Sequence, residues 1–206
     1  MFRTTPLIAA AILMAGCAGM SEEACLATDW RTVGFEDGAA GRPAGTIGRY
    51  RQACADHGVS PDLESYRAGH ADGVEIYCRP SRGFEVGRGG SLYQGVCPAD
   101  LEPDFVAAYQ SGRHLYELEA SVRGIDNRIA SNVKAQENIK RELAAITASI
   151  AGGETTTEQR VLLVAEAAEL GRRHGELSNE NDALREERAL AAVELEDYRQ
   201  TVAFGF

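Results

Sequence analysis

Beyond Cys97 the 206-residue sequence has no cysteine, and beyond Pro103 it has no proline. The second half therefore carries neither a covalent staple nor a residue that breaks a helix from within. Tryptophan occurs once, as Trp30. No apolar run approaches the ~20 residues that a membrane-spanning helix needs. Basic residues are scarce: 21 Lys+Arg against 31 Asp+Glu give a formal charge of −10. A phosphate backbone demands the opposite sign, so nucleic acid is not an expected partner. Nucleophile-elbow, phosphate-loop and haem-attachment motifs are all missing, so no enzyme class, catalytic residue or cofactor is read from motifs.

What is there begins at the N-terminus. A single charge, Arg3, precedes the apolar run Pro6–Met14, which ends in Ala15-Gly16-Cys17. The run is of secretory-signal length, and small residues before a cysteine resemble a bacterial lipobox, with Met14 in place of the usual Leu. The resemblance implies that residues 1–16 are removed and that Cys17 carries diacylglycerol on its thiol, with a further acyl chain such as palmitate on its new amine. An ordinary cleaved signal is the alternative. Two or more acyl chains, at ~0.8 kcal/mol per buried methylene, anchor a protein stably. Ala18 is not the Asp that resembles an inner-membrane retention signal. The expected location is thus the cell envelope, on the periplasmic face of the outer membrane. Residues 17–24 form the anchor and tether, and the seven from Ala18 to Ala24 reach at most ~25 Å when extended. That keeps the next domain near the bilayer.

The rest divides into a Cys/Gly-rich small domain, 25–103, and a helical-hairpin coiled coil, 104–206. In the second, Leu115, Leu118, Val122, Ile125, Ile129, Asn132, Gln136, Ile139, Leu143, Ile146 and Ile150 alternate spacings of three and four. After a break at Ala151-Gly-Gly-Glu-Thr155 a second series runs Leu163, Ala167, Leu170, His174, Leu177, Asn181, Leu184, Arg188, Ala191, Leu195, Tyr198. This is a heptad seam that must face another helix. Two near-equal arms around Gly152-Gly153 predict an antiparallel hairpin, with Thr155 and Glu158 at capping-box spacing. Placing Ile150 opposite Thr156 sets Leu143 against Leu163, Ile129 against Leu177 and Asn132 against His174. That last pair is expected to be a polar layer that fixes register.

In the small domain, Cys25, Cys54, Cys78 and Cys97 form an even set once Cys17 is removed, which in an exported chain indicates two disulfides. Three connectivities exist; Cys25–Cys54 with Cys78–Cys97 is preferred because each closes a short consecutive segment. Aromatic-glycine units recur as Phe35…Gly38, Tyr66…Gly69, Phe84…Gly87 and Tyr109…Gly112. On a helix such residues share a face, and glycine lets a neighbouring backbone come close. Short helices or turns are expected over Trp30–Gly41, Thr46–His57, Pro61–Tyr77 and Gly83–Gly90, crossing tightly. The fold class is mainly α: a disulfide-stapled, Gly-rich helical domain followed by a long antiparallel coiled-coil hairpin.

The strings Asp29-Trp-Arg-Thr-Val-Gly-Phe-Glu-Asp-Gly38, Tyr66-Arg-Ala-Gly69, Tyr77-Cys-Arg-Pro80, Gly83-Phe-Glu-Val-Gly87 and Tyr93-Gln-Gly-Val-Cys97-Pro98 are similar to the uncharacterised proteobacterial lipoproteins grouped as domain of unknown function 2799. The likeness runs from about Cys25 to Leu118. It implies a Gram-negative envelope lipoprotein and brings no catalytic residues with it.

Three chemistries remain to be weighed. Cys54, His57, His70 and Cys78 could offer zinc ligands, but the spacing is loose and disulfides compete for the thiols, so no metal is expected. Glu36, Asp37, Asp72 and Glu75 could supply the two carboxylates of a wall hydrolase, a remote alternative in so small a domain. Trp30, Tyr66, Phe84 and Tyr93 could stack on peptidoglycan sugars, though core packing suits them better. The main expectation is a structural or protein-interaction lipoprotein whose hairpin meets a partner protein or a second copy.

Overall fold

The computed structural model describes Met20–Val202. Within it the helices are α1 (Glu22–Ala27), α2 (Trp30–Ala39), α3 (Ile47–Ala55), α4 (Leu63–Tyr77), α5 (Pro80–Arg88), α6 (Glu102–Ala151) and α7 (Thr157–Val202), with one 3-10 turn at Ala44–Thr46. No strand occurs among the described residues. The fold is mainly α, and every short helix expected from the glycine spacing is present.

The chain divides into two units. The first runs to Cys78 and takes in Gln94–Pro98; the second comprises Arg79–Tyr93 and everything from Ala99 onward. The division falls at Cys78 and not near residue 103, where the composition changes. The reason is that α5 packs on the first turns of α6 through Gly83, Gly87 and Gly112.

In the first unit, α2 and α4 start alike. The side chain of Asp29 accepts from the backbone N–H of Arg31 and Thr32 and from the Thr32 hydroxyl; Asp62 does the same for Glu64, Ser65 and the Ser65 hydroxyl. Each cap satisfies donors that a helix N-terminus otherwise leaves bare. The two helices then cross at backbone contact. A Cβ on Gly34 or Gly38 would fall inside 3.0 Å of the α4 backbone, and one on Gly69 or Gly73 would strike α2. Only four glycines on the facing stripes permit this approach. One side of the pair is closed by a core of Cys25, Trp30, Ile47, Cys54 and Tyr66, with Tyr50, Val59 and Leu63 packed against it. Disulfides join Cys25 to Cys54 and Cys78 to Cys97, the consecutive pairing. Closing loops of 29 and 19 residues stabilises by about 3 kcal/mol each through the unfolded chain.

In the second unit α6 has two successive partners. Its first turns carry Phe105, Ala108 and Gly112, all buried, against α5. From Ser111 onward it runs beside α7, whose Tyr198 hydroxyl donates to the Ser111 carbonyl at 3.0 Å and whose ring meets His114 edge-on at 4.5 Å. Every residue of the expected seam is buried or half-buried except Arg188, which lies exposed and paired with Asp126.

Two details of the hairpin differ from expectation. The capping box is one residue later: the Thr156 hydroxyl accepts from Gln159 N–H at 3.2 Å, and Gln159 Oε1 accepts from Thr156 N–H at 2.8 Å. The run Thr155-Thr-Thr-Glu-Gln159 fits the motif in either frame, and the later one is used. The register also moves. Arg188 bonds Asp126, Glu180 bonds Arg128 and Arg199 bonds Glu119, each partner lying further along α7 than pairing Ile150 with Thr156 implies. Sliding by about one heptad preserves the seam, since a heptad shift returns equivalent faces to each other. Asn132 accordingly does not face His174. Gln136 takes that place, its amide reaching the His174 carbonyl, and Asn181 donates to Gln136 Oε1, both at 3.4 Å.

Candidate functional site

The most concentrated polar chemistry in the first unit surrounds Asp37. It follows from the glycine crossing: Gly38 brings α2 against α4, so the side chain before it lands beside Tyr66 on the facing helix. Asp37 is 1% exposed. Its Oδ2 accepts from the Tyr66 hydroxyl at 2.7 Å, and its Oδ1 accepts from Arg42 Nη1 at 2.6 Å and from the Tyr50 hydroxyl at 3.3 Å. Arg42 reaches back because Gly41, with φ +71°, reverses the chain after α2. That left-handed conformation favours glycine, and a Cβ there would also meet the Tyr77 ring. The Arg42 carbonyl then accepts from His70 Nε2 at 2.7 Å, which identifies Nε2 as the protonated nitrogen.

The electrostatics follow from this enclosure. Burial, reinforced by the bond to Asp37, pushes the Tyr66 phenol far above its ordinary range. Burial and the nearby Asp37 charge raise Tyr50 in the same direction. The hydrogen bond to Asp37 raises Arg42. Trp30, Tyr50, Tyr66 and His70 form a chain of rings with centroids 5.8, 6.3 and 6.0 Å apart. The Asp37 carboxyl is closed off from solvent by these partners. The cluster ties Arg42, just past the reversal at Gly41, to Asp37 and through it to Tyr66 and Tyr50.

The other candidates fall into place around it. Asp72 pairs with Arg31 on the surface, while Glu36 and Glu75 are exposed and separate from Asp37. Cys54 and Cys78 are held in different disulfides; His57 Nε2 lies 2.9 Å from the Met20 carbonyl, and His70 is engaged by Arg42. All four residues weighed as zinc ligands thus have other partners. Trp30 and Tyr66 are buried and offer no ring face to a sugar. In the second unit Tyr93 packs on Phe105 with centroids 4.8 Å apart and donates to Glu102 at 3.0 Å. Cys17 lies outside the described residues. The sequence sets Asp37 among possible hydrolase carboxylates and Tyr66 among possible sugar-stacking rings, and gives no sign of Arg42 and Tyr50, because no short motif links the four.

The second candidate is the outer surface of the hairpin near its turn. Val161, Leu162 and Val164 are 65%, 70% and 58% exposed. They adjoin a shallow groove lined by Ser149, Glu154, Thr155, Gln159, Leu162 and Leu163. Deeper in the seam, Asn181 is 1% exposed with Oδ1 unpaired, and Asn132 has a buried, unpaired Nδ2.

Over the described residues these features define a mainly helical fold of glycine-packed helix pairs with a two-helix antiparallel arm. Residues 29–114 match the family described as Protein of unknown function (DUF2799), and this segment of the chain is similar to that family. Neither the curated proteins nor the solved structures compared with the chain gave a match.

Proposed function

We propose that the protein is a lipid-anchored envelope protein, held on the periplasmic face of the outer membrane through Cys17, whose helical hairpin engages a partner protein. The observation that carries the second part is the apolar run Val161-Leu-Leu-Val-Ala165 beside the turn. A single facing helix covers one stripe of it, and Val161, Leu162 and Val164 remain in water. Exposed apolar side chains clustered along one stretch of a polar arm support an interaction surface there. A partner contributing a third helix suits it, with apolar side chains on one stripe.

Site-specific photo-crosslinking in intact cells tests this, with probes at Leu162 and Thr157 and a control at exposed Leu92. A discrete protein adduct from the turn supports the reading; adducts only at Leu92 overturn it, and an adduct of twice the chain mass identifies the partner as a second copy. The anchor is tested separately: Cys17→Ala should abolish acyl labelling and release the protein from membranes. Binding to cell-wall glycan is the weaker reading, since Trp30 and Tyr66 are core residues.

A further inference from the structure

We propose that the α2–α4 pair and the α5–α6 pair are two copies of one structural unit, and that the Asp37 cluster belongs to the first copy alone. The correspondence is residue by residue. Gly34, Gly38 and Gly41 recur as Gly83, Gly87 and Gly90, spaced by four and then three residues in both. A Cβ on Gly34 would strike the Tyr66 carbonyl and one on Gly83 the Phe105 carbonyl; Gly38 and Gly87 stand in the same relation to His70 and Tyr109. On the facing helices Gly73 meets Phe35 as Gly112 meets Phe84, with Ala108 in the place of Gly69.

The reversals after α2 and α5 are also the same. Ala40, Gly41 and Arg42 N–H donate to Glu36, Gly38 and Asp37 carbonyls; Gly89, Gly90 and Ser91 N–H donate to Glu85, Gly87 and Val86. Gly41 and Gly90 have φ +71° and +73°, and each sits over a tyrosine ring, Tyr77 or Tyr116, one turn beyond the last small residue of the facing helix. Chance does not reproduce glycine spacing, carbonyl partners, cap bonds and a ring together.

The aligned copies differ where the polar cluster lies. Asp37, Arg42, Tyr66 and His70 correspond to Val86, Ser91, Phe105 and Tyr109. The second pair makes the same crossing and the same reversal with Val86 and Phe105 at the positions of Asp37 and Tyr66, so the carboxyl network is not what holds such a pair together. Replacing a buried polar network by apolar groups of similar shape is often neutral, whereas removing one member strands the others.

The test transplants the second copy's residues into the first, in the full chain: Asp37→Val with Arg42→Ser and Tyr66→Phe. The expected result is an unchanged circular-dichroism spectrum, unchanged Trp30 emission and a melting temperature within about 5 °C of wild type; loss of the folded helical signal or of the cooperative transition overturns the equivalence. Hydrogen exchange supplies an independent reading. Gly38→Ala should speed exchange in α4, and Gly87→Ala should speed it in Tyr109–Tyr116 by a comparable factor, about tenfold or more in each. A marked effect in one pair with none in the other overturns the proposal.

Discussion

The same substitution, glycine to alanine, should have opposite signs at two helical positions of this chain. At Gly34 an added Cβ would lie 2.8 Å from the carbonyl carbon of Tyr66, with the oxygen nearer still, and 3.0 Å from His70 N. These are backbone atoms on a facing helix and cannot swing aside. To reach ordinary contact the helices must part by roughly 1 Å, which forfeits a quarter to a half of the dispersion energy along the crossing. Overpacking of this kind costs about 1–3 kcal/mol. Alanine returns about 1 kcal/mol of helix propensity, and the upper end of the overpacking range applies because Gly38, Gly69 and Gly73 share the seam. The net loss is about 2 kcal/mol, or roughly 8–16 °C in a unit of this size. At Gly175, in the exposed middle of α7, a Cβ meets nothing within 4 Å, so alanine there should stabilise by up to about 1 kcal/mol. Urea unfolding followed by Trp30 fluorescence reports the first unit, and hydrogen exchange along α7 reports the second. A Gly34→Ala protein as stable as wild type would refute the backbone-contact account of the fold.

Three further outcomes follow from the geometry. Because Tyr66 and Tyr50 keep their protons in the folded state to higher pH than an unfolded tyrosine, whose pKa is about 10, stability should be intact below that pH and fall as pH rises through the folded-state values. Tyrosinate absorbance during alkaline unfolding checks it, and Tyr66→Phe should weaken the dependence. Reduction with excess thiol should move the Trp30 transition to lower urea by an amount corresponding to about 3 kcal/mol per lost bridge; an unchanged midpoint counts against a structural role for Cys25–Cys54. Replacing Asn132 and Asn181 together by Leu should raise the stability of the hairpin while letting the arms slide, read by distance measurements between spin labels on α6 and α7; a single unchanged distance would dismiss a register role for these two asparagines.

How much of this was legible in the sequence depended on whether the determinant was periodic. The α6–α7 seam is a repeat, so its members could be named from spacing, and only Arg188 escaped burial. The register was not legible, because a heptad shift leaves every spacing unchanged and only particular cross-arm pairs such as Asp126–Arg188 select among shifts. The glycine stripes announced close crossings but not which helices cross. Pairing α5 with α6 placed the unit boundary well before the compositional one. The Asp37 cluster was invisible as a set because Asp37, Arg42, Tyr50 and Tyr66 have no common spacing and meet only once α2 and α4 touch.

The reach of the DUF2799 match has a physical explanation of the same kind. Where a Cβ would strike another backbone, one residue type alone fits, and such positions leave a fixed pattern in a sequence. The matched segment opens at the Asp29 cap of α2 and ends at residue 114, two residues past Gly112, the last glycine whose Cβ would strike a facing backbone. The seam of the α6–α7 arm imposes a looser rule: apolar, of about the right size, at the right phase. Packing within the arm therefore does not dictate Val161, Leu162 and Val164, which face water. Three large apolar side chains at an exposed end contribute little to the hairpin itself. The proposed partner surface at the turn rests on these side chains, and the crosslinking experiment there tests it.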